Sequence, residues 1–216
     1  MDRTVIFDLD GTLLDTIGDL AAAANAVCRE NGWPEHTVQA VEGMVGHGIP
    51  NLVSRFSPAE AQEPQTLEQT LAQFNRFYGA HNMERTAPYN GIPELLAKLK
   101  AAGVRLAVCS NKADDFSRAI VAHYFPGIFD MVRGNLPGTP VKPDPGVAQG
   151  ILEKLNAQPE ETLMVGDSDV DIRTGHNAGL KACGVTWGFR SRENLVNAGA
   201  DFLADTAEEL EKILMN

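Results

Sequence analysis

The chain has 216 residues, 44% hydrophobic and 22% charged, which fits a soluble globular protein with one domain of ordinary size or a core carrying a modest inserted unit. Its 29 Asp and Glu against 18 Lys and Arg leave a formal charge of -11, which repels a duplex phosphate backbone and argues against nucleic acid as a partner, although a local cation can still draw a small anion into a cleft. Cys28, Cys109 and Cys183 are odd in number, far apart and set among apolar neighbours, so they predict buried free thiols in a reducing cytoplasm rather than disulfides or a zinc site.

In chain order, the first apolar run, Val5-Ile6-Phe7, comes after Asp2 and Arg3 and is broken at once by Asp8 and Asp10. Neither a signal peptide nor a membrane span is expected there. The run reads as a buried strand that opens on a site, because buried strands rarely end in paired acids without a reason. Side chains alternate along a strand, so Asp8 and Asp10 can converge on one group, and Gly11 permits a tight turn before Thr12. Two carboxylates so close favour a bound hard cation or an acid/base pair, and both can hold at once. A strand leading into a plain Asp-Gly turn has the same pattern, so the rest of the chain decides.

Helices are expected over 15–31, 38–45, 49–56 and 67–78, with no convincing strand between Asp15 and Arg85; residues 15–85 therefore read as a helical insert. From Tyr89 the texture changes to alternation. Helices at 92–102, 114–124, 144–155, 172–178 and 208–214 alternate with strands at 104–109, 129–132, 162–165 and 181–185. This predicts an α/β fold: a Rossmann-like parallel sheet core, residues 1–14 and 86–216, with helices on both faces and an inserted α-helical cap domain. In such sheets ligands bind beyond the carboxyl ends of the strands. The residues just past each apolar run are consistent with a site there: Asp8 after the first, Ser110, Asn111 and Lys112 after 106–109, and Gly166-Asp167 after 163–165.

Four separated motifs, Asp8-Leu-Asp-Gly-Thr12, Ser110-Asn-Lys112, Lys142-Pro-Asp-Pro145 and Gly166-Asp-Ser-Asp-Val-Asp171, resemble those of the haloacid dehalogenase superfamily of phosphohydrolases, in that order and across the whole core. The insert looks like its type 1 cap. Met44 to Leu52, together with Asn111-Lys112, is most similar to the phosphoglycolate phosphatase subgroup. The resemblance implies a phosphatase acting on a small phosphorylated metabolite, as a monomer or homodimer, with Asp8 as nucleophile and Asp10 as general acid and base. It implies Mg2+ held by the carboxylates of Asp8 and Asp167 and the backbone carbonyl of Asp10, with Asp171 orienting that set from behind. Ser110 and Lys142 are expected on the transferring phosphoryl group, with Gly11, Thr12, Asn111 and Lys112 also on the substrate side.

The run Asp167, Asp169, Asp171 is not a calcium loop, since Ile172 and Ala178 stand where that loop needs Gly and Glu; Asp169 reads as a helix-start residue. In the insert, Gly46-His47-Gly48 reads either as a lip with His47 facing the leaving group or as a connecting turn with an exposed histidine. Arg55 reads as a solvated helix-face arginine, with a substrate carboxylate as its functional alternative. A phosphosugar phosphatase or mutase of the same fold stays open, as does a non-catalytic phosphate-binding or partner-binding protein. A dehalogenase is disfavoured because Asp10 and the metal-binding acids would have no task, and a receiver domain because of the large insert after Asp10.

Overall fold

The computed structural model describes residues 3–215; Asp2, which precedes the first apolar run, lies outside them. In chain order the elements are β1 (Thr4–Phe7), β2 (Leu14–Asp15), α1 (Ile17–Asn31), α2 (Val38–Glu42), α3 (Ile49–Phe56), α4 (Pro64–His81), β3 (Ala87–Pro88), α5 (Ile92–Ala101) and β4 (Arg105–Ala113). They continue with α6 (Asp114–Tyr124), β5 (Met131–Asn135), α7 (Gly146–Leu155), β6 (Thr162–Gly166), α8 (Asp169–Asn177), β7 (Lys181–Val185), α9 (Arg192–Asn197), β8 (Phe202–Ala204) and α10 (Ala207–Met215). The chain divides into two compact units, residues 1–15 with 88–216, and residues 16–87.

The larger unit is built on a six-stranded sheet in the order β5-β4-β1-β6-β7-β8, whose neighbouring strands are all parallel. Val5, Ile6 and Phe7 are each fully buried. Successive strand residues face opposite ways, so both faces of the sheet must be covered. On one face Ile6, Ala107 and Met164 pack with Ala148 and Ile151 of α7; the Phe7 ring meets the edge of Phe129 at 6.3 Å. The chain runs outward from β1 through β4 to β5 and then returns to the other side of β1 with β6. That reversal makes the carboxyl end of β1 the crevice where such sheets bind ligands.

The smaller unit is helical. Phe56, Phe74 and Tyr78 form a buried aromatic row, with ring centroids 6.1 and 5.6 Å apart. The buried Asp19 carboxylate accepts hydrogen bonds from the backbone N–H groups of Arg85 and Thr86 and from the Thr86 hydroxyl, tying the end of this segment to its start.

Several boundaries differ from the sequence reading for identifiable reasons. Helix α1 starts at Ile17 because Leu14–Asp15 pairs with β3, and α4 starts at Pro64, a residue suited to a first helical turn. Helix α8 begins at Asp169 rather than 172 because Ser168 and Asp171 form a reciprocal capping box. Strand β4 runs on through Ser110-Asn111-Lys112 with a shift in register between Cys109 and Ala113, and β5 lies two residues later than expected. Helix α9 and strand β8 were not anticipated. One has six residues and the other three, too few to show a periodicity.

Candidate active site

The site is assembled at the carboxyl end of the sheet. The Asp8 N–H still donates to the Val165 carbonyl at 2.8 Å, so the main chain is held in register with β6 where the first carboxylate emerges. The chain then turns sharply: Leu13 and Leu14 both donate to the Leu9 carbonyl at 3.0 Å. Gly11 sits at φ 86, and a Cβ there would come 2.4 Å from Oδ2 of Asp167. Both the left-handed backbone and the close approach require glycine.

Lys142 ties the acids together. Its buried ammonium lies 2.8 Å from Asp8 Oδ1 and 2.6 Å from Asp171 Oδ1. Asn111 fixes the base of that lysine by accepting from the Lys142 N–H at 2.7 Å and donating to the Lys142 carbonyl at 3.2 Å. Asp171 accepts from both the N–H and the hydroxyl of Ser168 through its other oxygen. Asp167 accepts from the Thr12 hydroxyl at 3.2 Å and from the Phe189 N–H at 2.8 Å. Oxygens of Asp8, Asp167 and Asp171 all lie within 4.8 Å of one another.

Crowding and burial set the charge states. Burial, then the charge of Asp171, pushes the Asp8 carboxyl up to about 7, against the opposing pull of Lys142. Asp167 is raised well above the usual carboxylate range by burial and by Asp171 and Asp8. Burial opposes the charge on Lys142, but Asp171 and Asp8 more than offset it, so its ammonium is held more firmly than an ordinary one. The Cys109 thiol, pushed up to about 12 by burial, stays protonated.

These residues fit a hard divalent cation. The donors are carboxylate oxygens, which such ions prefer, and a positive charge would relieve the repulsion that raises Asp8 and Asp167. Backbone also packs tightly against Asp167: a Cβ on Gly188 would come 2.3 Å from both Asp167 Cβ and the Gly11 carbonyl, so only glycine fits there.

The expected site residues fall into groups. Asp8, Gly11, Thr12, Lys142, Asp167 and Asp171 come together. Asp171, expected behind the metal-binding acids, has a carboxylate oxygen within 4.8 Å of oxygens of both Asp8 and Asp167. Asp10 places both carboxylate oxygens on the Lys112 ammonium, at 2.9 and 3.0 Å. Three residues expected on the substrate side thus spend their side chains elsewhere: Thr12 on Asp167, Asn111 on the Lys142 backbone and Lys112 on Asp10. Ser110 is buried, and its Oγ accepts from the Lys112 N–H at 3.2 Å. His47 and Arg55 belong to the helical unit, His47 exposed in the turn before α3 and Arg55 exposed in its last turn.

The segment after β7 was missed. Trp187 Nε1 donates to the Thr12 carbonyl at 3.1 Å, Gly188 gives the close approach to Asp167, and the Phe189 N–H holds its carboxylate. The signal was present: Thr186-Trp-Gly-Phe-Arg190 comes directly after an apolar strand, as the other site segments do.

A family model described as haloacid dehalogenase-like hydrolase matches residues 5–185. The phosphoglycolate phosphatase of Vibrio vulnificus (strain CMCP6) is 34% identical over 221 residues, covering 99% of this chain and 96% of its own. That of Aquifex aeolicus is 32% identical over 215 residues, covering 99% and 97%. Among solved structures, CbbY from Rhodobacter sphaeroides in complex with phosphate superposes with a TM-score of 0.79 at 26% identity, over 97% of this chain and 96% of its own.

Proposed function

Because the chain belongs to the haloacid dehalogenase-like hydrolase family, we propose that it is a phosphomonoester hydrolase acting on a small phosphorylated metabolite through an aspartyl-phosphate intermediate. The observation that carries this reading is the buried cluster of Asp8, Lys142, Asp167 and Asp171 at the carboxyl end of β1.

In the first half-reaction an Asp8 oxygen attacks phosphorus, a new O–P bond forms, and the ester P–O bond breaks as Asp10 gives its proton to the leaving oxygen. In the second, Asp10 takes a proton from water as that water attacks the aspartyl phosphate, releasing inorganic phosphate and restoring Asp8. Lys142 keeps Asp8 oriented and offsets negative charge as the phosphoryl group transfers, with Ser110 donating to a phosphoryl oxygen. Mg2+ held by the carboxylates of Asp8 and Asp167, with Asp171 beside them and the Asp10 carbonyl as a further oxygen donor, would supply charge neutralisation between an anionic nucleophile and an anionic substrate. The helical unit is assigned the role of a cap that selects the leaving group, with the exposed His47 as its candidate residue for that choice.

The best single substrate is 2-phosphoglycolate, supported by relatives of that name matching over nearly the whole chain. A phosphosugar is the second reading, favoured by a CbbY structure in complex with xylulose-(1,5)bisphosphate, 26% identical with a TM-score of 0.77. No helix among the described residues is long and apolar enough to cross a membrane, and the three buried free cysteines suit a reducing cytoplasm.

Hydrolysis of p-nitrophenyl phosphate, with and without Mg2+, by the native protein and by Asp8→Asn tests the chemistry; equal rates in the two proteins would remove the nucleophile. Comparing kcat/KM for 2-phosphoglycolate, xylulose 1,5-bisphosphate and hexose phosphates then tests the name. A preference below about tenfold for 2-phosphoglycolate would leave a broad-specificity phosphatase.

A further inference from the structure

The pairing of Lys112 with Asp10 has no part in either half-reaction as written. We propose that Lys112 is a positioning residue, its ammonium holding the Asp10 carboxyl group in the orientation from which it serves the leaving oxygen. This rests on the reading of Asp10 as the general acid.

Both Asp10 oxygens lie on the one ammonium. The Lys112 side chain is 1% exposed while that of Asp10 is 14% exposed, so the carboxylate is the more accessible member of the pair. Lys112 is also anchored at its root: its N–H donates to the Ser110 hydroxyl at 3.2 Å, and its carbonyl accepts from the Ser117 hydroxyl at 3.3 Å. It reaches Asp10 from the stretch of β4 where the register shifts. The terminal torsion of an aspartate is soft, with a broad range of angles. A proton donor must come within about 2.6–3.2 Å of its acceptor, and a misplacement of about 1 Å can cost roughly a hundredfold. A buried ammonium across both oxygens restrains that torsion.

The test uses leaving groups rather than pH. The kinetic constant kcat/KM covers events up to transfer of the phosphoryl group to Asp8, so later hydrolysis of the aspartyl phosphate does not enter. Lys112→Met is expected to lose about a hundredfold in kcat/KM on phenyl phosphate, whose leaving oxygen needs the proton. On 2,4-dinitrophenyl phosphate, whose leaving group departs without one, it should lose less than about threefold. Lys112→Gln, which keeps a neutral NH2 donor but no charge, should fall between; it carries the comparison if the methionine variant does not fold. Equal loss on both esters, or no loss on phenyl phosphate, overturns the proposal. Asp10→Asn separates the two layers of the argument. If it shows the contrast and the Lys112 variants do not, Lys112 alone is refuted; if it shows none, the acid assignment falls and the proposal falls with it.

Discussion

Asp8→Asn, expected to abolish phosphate hydrolysis, should make the metal-free protein more stable at neutral and higher pH. The Asp8 carboxyl, held at about 7 in the folded chain against an ordinary value of 3.8, keeps its proton when the unfolded chain has already lost it. A raised folded-state value means that the contribution to stability is fully present below pH 3.8 and is lost as the pH rises through about 7. The gap is roughly three pH units, or about 4 kcal/mol at 1.36 kcal/mol per unit. Asparagine has the same shape and no proton to lose, and Lys142 keeps Asp171 as its partner. The variant should therefore exceed the native chain by about 4 kcal/mol at pH 8, or about 8–16 °C in melting temperature for a protein of this size, and by little at pH 4. Chelator-treated samples melted side by side at the two pH values read this directly. Adding Mg2+ at pH 8 should then raise the native melting point and leave the variant nearly unmoved. A variant no more stable than the native chain at pH 8, or equally stabilised at both pH values, would refute the claim that repulsion and burial strain this carboxylate.

Two further substitutions probe the supports of the site. Asn111→Ala removes both hydrogen bonds to the Lys142 backbone; it should cost about 1–3 kcal/mol in urea unfolding and about a hundredfold in kcat through displacement of the ammonium. Gly188→Ala forces a Cβ against Asp167 and the Gly11 carbonyl; the Mg2+ concentration giving half-maximal activity should rise by about 10–100-fold, measured by metal titration of the activity. An unchanged metal requirement in a folded variant would show that the close contact of Gly188 with Asp167 serves packing alone.

The sheet was legible because its physics is local. Three apolar residues ending in acids, and runs such as Leu106 to Cys109, state burial and strand length by themselves. The motifs also gave the place of the site, since chemistry-bearing residues at the ends of different strands of one parallel sheet must meet at the same edge. The pairing stayed hidden. Nothing in Ser110-Asn111-Lys112 says that Asn111 turns to the Lys142 backbone while Lys112 goes to Asp10. That division depends on the shifted register within β4, which one strand's sequence does not determine. The same limit hid Trp187 to Phe189, whose work is done largely by main-chain and indole N–H groups and by a missing Cβ, features that chemical motifs do not advertise.

The distribution of charge explains why four aspartates can share so small a site. Lys142 pairs with both Asp8 and Asp171, and Lys112 pairs with Asp10, so two ammonium groups face four carboxylates. Among the described residues no ammonium or guanidinium lies in ion-pair contact with Asp167, which is met instead by a hydroxyl and a backbone N–H. Such neutral donors stabilise a buried carboxylate less than an ion does, and Asp167 accordingly remains strongly raised. The two lysines thus leave two of the four negative charges uncompensated, and Asp167, the one of the four without an ion-pair partner among the described residues, is where the electrostatics call for a cation from solution.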